Sequence, residues 1–232
     1  MSSLKEIKTR IASVKNTLKI TSAMKMVASA KLHKAQTAIG NKLPYEQQLH
    51  RMLAGLLQSD DLRESLGKEL GMSSRNGKSP VVLQDVDMDV LPSKKDAERV
   101  ALVVFSSNSS LCGAFNANVI RKFNETVARL REHGYELKDI NVFAVGKKAA
   151  DAAVKAGFQL DEDFTDLADK PSYDRAVDLA SELIDRFSDG EVEQVIFIYS
   201  HMASTSSQPV IRENYLPLAL HDYASGTYPE DY

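Results

Sequence analysis

The sequence predicts an α/β protein in which a long N-terminal coiled-coil helix precedes a small, mostly parallel, Rossmann-like sheet domain. Two observations lead to this prediction: residues 4–39 contain neither Gly nor Pro, and short apolar runs alternate with helical segments from residue 99 onward. Of the 232 residues, 43% are hydrophobic and 26% are charged, which excludes a disordered or fibrous chain. The sequence contains no apolar run long enough for a membrane span, and its N-terminus is unlike a signal peptide.

The N-terminal segment predicts a single amphipathic helix, because residues 4–39 are rich in Lys, Ala, Leu and Met. Apolar positions recur at alternating steps of three and four residues, which is the spacing of a coiled-coil seam rather than of a broad globular face. Thr21 and Lys25 interrupt this pattern in the middle. The predicted seam consists of Leu4, Ile7, Ile11, Val14, Leu18, Ala28, Leu32, Ala35 and Ile39.

The length of this helix requires a partner. At 1.5 Å per residue the helix is about 54 Å long, whereas a compact domain made from the other residues would be roughly 40 Å across. Leaving the larger seam side chains in water would forfeit on the order of 10–20 kcal/mol, which rivals the stability of a whole domain. We therefore expect the seam to be covered by another helix, by a second copy of the chain, or by the chain's own domain after a bend near Gly40.

Charge is distributed unevenly along the chain. Residues 1–40 carry eight Lys or Arg and one acid, for a net charge of +7, and the remaining residues carry −10. This asymmetry predicts that the basic helix meets an acidic or anionic partner. Ile20, Met24, Met26 and Val27 lie off the seam, so we expect a second neighbour along the middle of the helix. A protein partner is favoured over nucleic acid or a membrane surface, because the seam and this second group of side chains are apolar.

The sequence divides into four predicted segments. A helical shaft occupies residues 1–57, with a kink or a short interruption near 40–44, and a linker or irregular insertion follows at 58–98, with at most one short strand around 81–83. An α/β domain spans 99–220, and 221–232 form a tail. Within the domain, the predicted strands are 99–107, 140–145, 194–200 and one more in 207–220, and the predicted helices are 116–133, 147–156 and 172–187.

No group of residues in the sequence forms a recognisable active site. The five histidines and Cys112 lack the spacing of metal ligands, and no base is placed to activate the Cys112 thiol. The Gly146-Lys147-Lys148 run lacks the other residues of a P-loop. The loop 106–115 carries hydroxyl groups that can cradle a phosphate, so a nucleotide- or phosphate-binding α/β module with a basic interaction helix is the alternative function. We predict no catalytic residue, no metal and no cofactor.

Several of these segments resemble the γ subunits of F-type ATP synthases. Residues 3–31 are similar, almost continuously, to the N-terminal helix of that family, and Pro44-Tyr45 matches its Pro-Tyr pair. Leu111-Cys112-Gly113 resembles the central motif of the family, and residues 145–148 resemble its next strand–helix junction. The chain departs from the family's Ser-Asp-Arg-Gly, because Asn108-Ser109-Ser110 follows Ser107 here. Residues 58–98 match poorly.

The resemblance implies a non-catalytic rotor subunit of the central stalk, which couples ion-driven rotation of the membrane ring to conformational cycling of the catalytic β subunits. The implied partners are the α and β subunits of the catalytic ring, the ε subunit and the membrane c-ring, on the cytoplasmic face of the bacterial inner membrane. The resemblance also implies that this chain lacks the C-terminal helix that pairs with the N-terminal one, in which case we expect the chain to self-associate. The implied partner-binding residues are Lys8, Arg10, Lys19, Ile20, Met24, Lys25, Met26, Val27 and Lys31.

Overall fold

A computed structural model describes residues 3–57, 81–82, 99–160, 162–204 and 206–219. The chain divides into two compact units, residues 1–52 and 53–232. The linker predicted at 58–98 lies outside the described residues except for Val81–Val82, and so does the tail predicted at 221–232. Among the helices in the described ranges, none combines the length and the apolar character that crossing a membrane requires.

The first unit is built from helix α1 (Leu4–Leu57), whose last residues belong to the second unit. The helix is continuous through Gly40 and Pro44, so the short interruption that the sequence suggested is not found; the alternative, a kink, stays a prediction. Pro44 lacks the N–H that would bond to the carbonyl of Gly40, one turn earlier. Strong helix formers on both sides outweigh the loss of that one hydrogen bond.

The second unit contains the predicted alternation of strands and helices. The strands at 140–145 and 194–200 and the start of the helix at 147 lie where the sequence predicts them. Most of the other predicted bounds differ from the observed ones by one to three residues. The elements are β1 (Val81–Val82), β2 (Val100–Phe105), α2 (Phe115–Glu132), β3 (Ile140–Val145), α3 (Lys147–Lys155), α4 (Tyr173–Ser188), β4 (Gln194–Ser200), β5 (Val210–Leu216) and β6 (Leu218–Ala219).

The main sheet of this unit has four strands in the order β3-β2-β4-β5. Strand β2 pairs in parallel with both β3 and β4, and β5 pairs with β4 in the antiparallel direction. The predicted mostly parallel α/β sheet is therefore confirmed, with an antiparallel strand at one edge. Strands β1 and β6 form a separate parallel pair.

Helices cover both faces of the main sheet, as its strand β2 illustrates. Val100, Leu102 and Val104 belong to the hydrophobic core shared with α2 and α3, whereas Ala101 and Val103 belong to the core shared with α4. Successive side chains of a strand point to opposite faces, so a strand buried on both faces is apolar at every position. Burial on both faces therefore explains why β2 appears in the sequence as a continuous apolar run.

Candidate functional site

The threonine hydroxyls of α1 form hydrogen bonds within the helix itself. The hydroxyls of Thr9, Thr17 and Thr37 each donate to the carbonyl oxygen four residues earlier. Thr21, which interrupts the seam, donates to Thr17 at 2.9 Å and lies 3.1 Å from the carbonyl oxygen of Leu18. A partner can cover these side chains without leaving an unpaired hydroxyl, so Thr21 disrupts the seam less than its residue type suggests.

The predicted coiled-coil seam of α1 is exposed along its whole length. The larger seam side chains range in exposure from 44% at Leu32 to 71% at Leu4, and every described position from 3 to 42 is exposed. A bend near Gly40 that would bring the chain's own domain over the seam stays a prediction.

The geometry of a helix dictates how a partner can follow this seam. Steps that alternate between three and four residues average 3.5, whereas a straight α-helix has 3.6 residues per turn. The seam therefore drifts by about 20° per heptad, or about 100° between residues 4 and 39. A helix that stays in contact with the whole seam has to wind around α1 in a left-handed supercoil.

A second apolar surface lies about 100° around α1 from the seam. Ile20, Met24 and Val27 follow one another at steps of four and three, so they share one side of the helix, which we call the apolar stripe. Their exposures are 62%, 49% and 59%. Met26, which the sequence grouped with them, lies roughly 120° away from this stripe; it is 70% exposed.

Basic side chains occupy a third side of α1. Lys8, Lys15 and Lys19 lie within about 40° of one another, on the same side as Met26, and we call these three lysines the basic stripe. The sequence contains no acid from residue 7 to residue 45, and none of the three lysines pairs with a described acid. Their charge is therefore uncompensated, and a solvated face stabilised by Glu–Lys pairs is excluded for this stripe.

The remaining predicted contact residues do not form a further side of their own. Arg10 flanks the seam, Lys25 occupies a seam position, and Lys31 continues the line of the apolar stripe by one more step of four. All three are exposed. The predicted contact residues thus lie on several sides of α1 rather than in one cluster. This arrangement is the one expected of a helix that has several neighbours.

The serine-rich loop after β2, the candidate phosphate cradle, binds the N-terminus of α3 instead. Asn108 Oδ1 accepts from the backbone N–H of Lys147 at 2.7 Å, and Ser106 Oγ accepts from that of Ala149 at 2.8 Å. Lys148 N donates to the carbonyl of Ser107 at 3.4 Å. A helix N-terminus binds an anion through such N–H groups, and here the chain's own oxygen atoms occupy them.

Asn108 also ties this loop to a distant part of the chain. Its Nδ2 donates to the carbonyl of Thr165 at 3.1 Å and to the carboxylate of Asp169 at 2.7 Å. The side chain therefore joins the loop, the start of α3 and the segment before α4. This departure from the family motif has a structural role that sequence reasoning missed, because the partners are 39 to 61 residues away.

Sequence reasoning also missed an aromatic cavity of about 470 Å³ at one end of the main sheet. Phe105, Phe115, Phe197, Tyr199 and Tyr215 line it, together with Ser106, Ser200 and Glu213. The alternate spacing of aromatic residues in β4 was the signal that could have revealed it. Among the described lining residues there is no Lys, Arg or His that could pair with a phosphate. These contacts give no support to the nucleotide-binding alternative.

The described residues bring together no set of three His, Cys, Asp or Glu side chains that could hold a metal ion. Cys112 is half-buried, and its sulfur accepts a hydrogen bond from Asn116 Nδ2 at 3.0 Å. Its other contact is the carbonyl of Ser109, at 3.6 Å. Neither neighbour is a base, so the environment of this thiol is structural rather than catalytic.

The chain matches a family model and is similar to several known proteins over most of its length. The family model described as ATP synthase matches residues 3–232. The chain is 45% identical to an ATP synthase γ chain of Phocaeicola vulgatus over 95% of its own length and 67% of the relative's. It is 46% identical to the γ chain of Bacteroides thetaiotaomicron over 95% of its own length and 65% of the relative's. For the γ chain of Bacteroides fragilis, the identity is 45% over 100% of this chain and 72% of the relative.

The close approach between the loop and α3 generates a prediction about Gly146. Its φ is +103°, and a Cβ atom there would lie 2.2 Å from the carbonyl oxygen of Ser106. We expect Gly146→Ala to destabilise the second unit by more than about 2 kcal/mol, measured by urea unfolding followed by tyrosine fluorescence. Gly113→Ala is the control, because Gly113 also has a positive φ but nothing within 4 Å, and it should cost about 1 kcal/mol. Equal costs for the two variants would contradict the close packing.

Proposed function

Because this chain belongs to the ATP synthase γ chains, which are non-catalytic subunits of the central stalk, we propose that α1 forms part of the shaft that turns within the complex. Rotation of the membrane ring, driven by ion flow, is transmitted along this shaft to the catalytic β subunits as changes in their conformation. The exposed seam of α1 is the observation that carries the proposal, since a shaft made of two helices needs such a seam on each helix.

The seam is proposed to be covered by a second long helix, which the family resemblance assigns to the C-terminal part of γ chains. Covering it would recover on the order of 10–20 kcal/mol from the larger seam side chains. Supercoiling two helices also makes the shaft stiffer than either helix alone, so torque is transmitted with less twisting. When the chain is alone in solution, a second copy is proposed to cover the seam.

The other two sides of α1 are proposed to face the surrounding ring of α and β subunits. Met and Val side chains are adaptable and form no directional bonds, so the apolar stripe suits a surface that slides past successive neighbours. The basic stripe suits acidic segments of the β subunits, because charge attraction acts over about 10 Å and does not require one fixed geometry. A rotating shaft needs contacts of these two kinds.

The second unit is proposed to hold the ε subunit and to contact the membrane c-ring. This places the chain peripherally on the cytoplasmic face of a bacterial inner membrane, where the ring lies. The proposal assigns no substrate or cofactor to the chain.

The seam proposal predicts the effect of an acidic substitution at its centre. Leu18→Asp places a charge where a second helix packs and removes a leucine that is 63% exposed in the isolated chain. We expect assembly with α and β subunits to weaken by about 3 kcal/mol or more, or roughly 100-fold. The measurement is the amount of complex recovered over a concentration series of the α and β subunits.

The matched control for that experiment is Asn41→Asp, which introduces the same charge at an exposed position of α1 beyond the last seam residue and away from the apolar stripe and the basic stripe. We expect less than about a threefold effect from it, as for other exposed substitutions. An Asn41→Asp defect as large as that of Leu18→Asp would contradict the seam assignment, because added charge alone would then explain both.

The basic stripe predicts a salt-dependent association. Replacing Lys8, Lys15 and Lys19 together by Glu should slow association with α and β subunits by about tenfold or more at low salt, and the difference should shrink as salt screens the charges. Stopped-flow mixing at several salt concentrations measures this. Lys155→Glu, in α3 of the second unit, provides a control of the same charge type. A rate difference that does not change with salt would rule out the electrostatic role.

A further inference from the structure

The aromatic cavity of the second unit lies where α/β sheets bind ligands. The chain leaves β2 for β3 on one side and later returns to β4 on the other, so the carboxyl ends of β2 and β4 flank a topological switch point. Four of the lining residues lie at these carboxyl ends: Phe105 is the last residue of β2 and Ser106 comes directly after it, and Tyr199 and Ser200 are the last two residues of β4. We propose that this cavity receives an arginine side chain from a partner protein.

The arrangement of the rings favours a flat group. Phe197 and Tyr215 are stacked with their centroids 4.2 Å apart and their planes 9° from parallel. Phe105 meets Phe197 edge-on at 5.4 Å. Tyr215 is 36% exposed, so it is the most exposed member of the row. A guanidinium group is planar and stacks on aromatic faces, so an aromatic lining of this kind suits it.

The charge of the cavity favours a cation. Among the lining residues that the structure describes, Glu213 carries the one carboxylate and none is basic. Aromatic faces also attract cations through their quadrupoles. The described surroundings of Glu213 are therefore complementary to a positive charge.

The carboxylate of Glu213 is held in place for such a contact. The hydroxyl of Tyr199 donates to Glu213 Oε2 at 2.8 Å. An ionised carboxylate accepts several hydrogen bonds and matches the parallel N–H groups of arginine. A lysine ammonium lacks both the plane that stacks on Tyr215 and the fork that pairs with the carboxylate, so the combination selects arginine over lysine.

The test is a titration of the full chain with a blocked arginine tripeptide, acetyl-Gly-Arg-Gly-amide, followed by the aromatic resonances in NMR spectra. We expect saturable shifts of Phe105, Phe197, Tyr199 and Tyr215, with a dissociation constant on the order of 1 mM. The same peptide with neutral citrulline in place of arginine should bind at least about tenfold more weakly. The lysine peptide should lie between the two.

Variants locate the binding within the cavity. Glu213→Gln conserves shape and should weaken arginine binding by about fivefold or more, and Tyr215→Ala should remove the stacking contribution. Two matched controls should leave binding unchanged: Asp151→Asn removes the same charge elsewhere on this unit, and Tyr173→Ala removes a tyrosine that is 82% exposed on α4. Circular dichroism of each variant confirms that the fold is retained.

Three results would overturn the inference. Equal binding of the citrulline and arginine peptides would identify an apolar groove without charge selectivity. Tighter binding of tetramethylammonium than of the arginine peptide would identify a site for a free organic cation. The absence of saturable shifts would exclude binding altogether. The inference concerns the second unit and does not depend on the shaft proposal, so none of these results would alter the interpretation of α1.

Discussion

An apolar seam in contact with water is the constraint on which the rest of this molecule depends. Helix α1 carries large aliphatic side chains at coiled-coil spacing over a length that no compact domain of this size can cover, and the described part of the chain leaves them exposed. Isolated helices are marginally stable, since most helical stability in proteins comes from burying one side. The sequence of α1 is therefore that of a helix built to pack against a partner, and its other two surface stripes are proposed to face further neighbours.

The two units differ in how their side chains are used. In the second unit, β2 is buried on both faces, and the loop after it is fastened to α3 by Ser106, Ser107 and Asn108. The oxygen atoms that make this loop resemble an anion site are used to hold the fold together. In the first unit, the threonine hydroxyls are satisfied locally and almost everything else remains available to partners. A non-catalytic subunit that transmits force needs one rigid body and one surface for contact, and it needs no reactive group.

The sequence predicted these features unequally, for physical reasons. Strands 140–145 and 194–200 were predicted to the residue, because buried parallel strands are apolar at every position. A kink or a short interruption near Gly40 and Pro44 was predicted from local signals, but helix propensity on both sides outweighed Pro44 and the helix is not interrupted. The antiparallel direction of β5, the role of Asn108 and the hydrogen bond between Tyr199 and Glu213 could not be predicted, because they depend on contacts between different segments of the chain. Which residues of α1 touch partners is a property of the assembly and remains a proposal.

The most direct test of the account is amide hydrogen exchange of residues 4–39, measured in the isolated chain at low concentration and in the assembled complex. Without a second helix on the seam, the amides of α1 should exchange much faster than those of α2, which packs on the core of the second unit. In the complex, protection should rise along the whole seam. If α1 in the monomeric chain were protected as strongly as α2, the helix would be stable on its own and the need for a partner would be disproved.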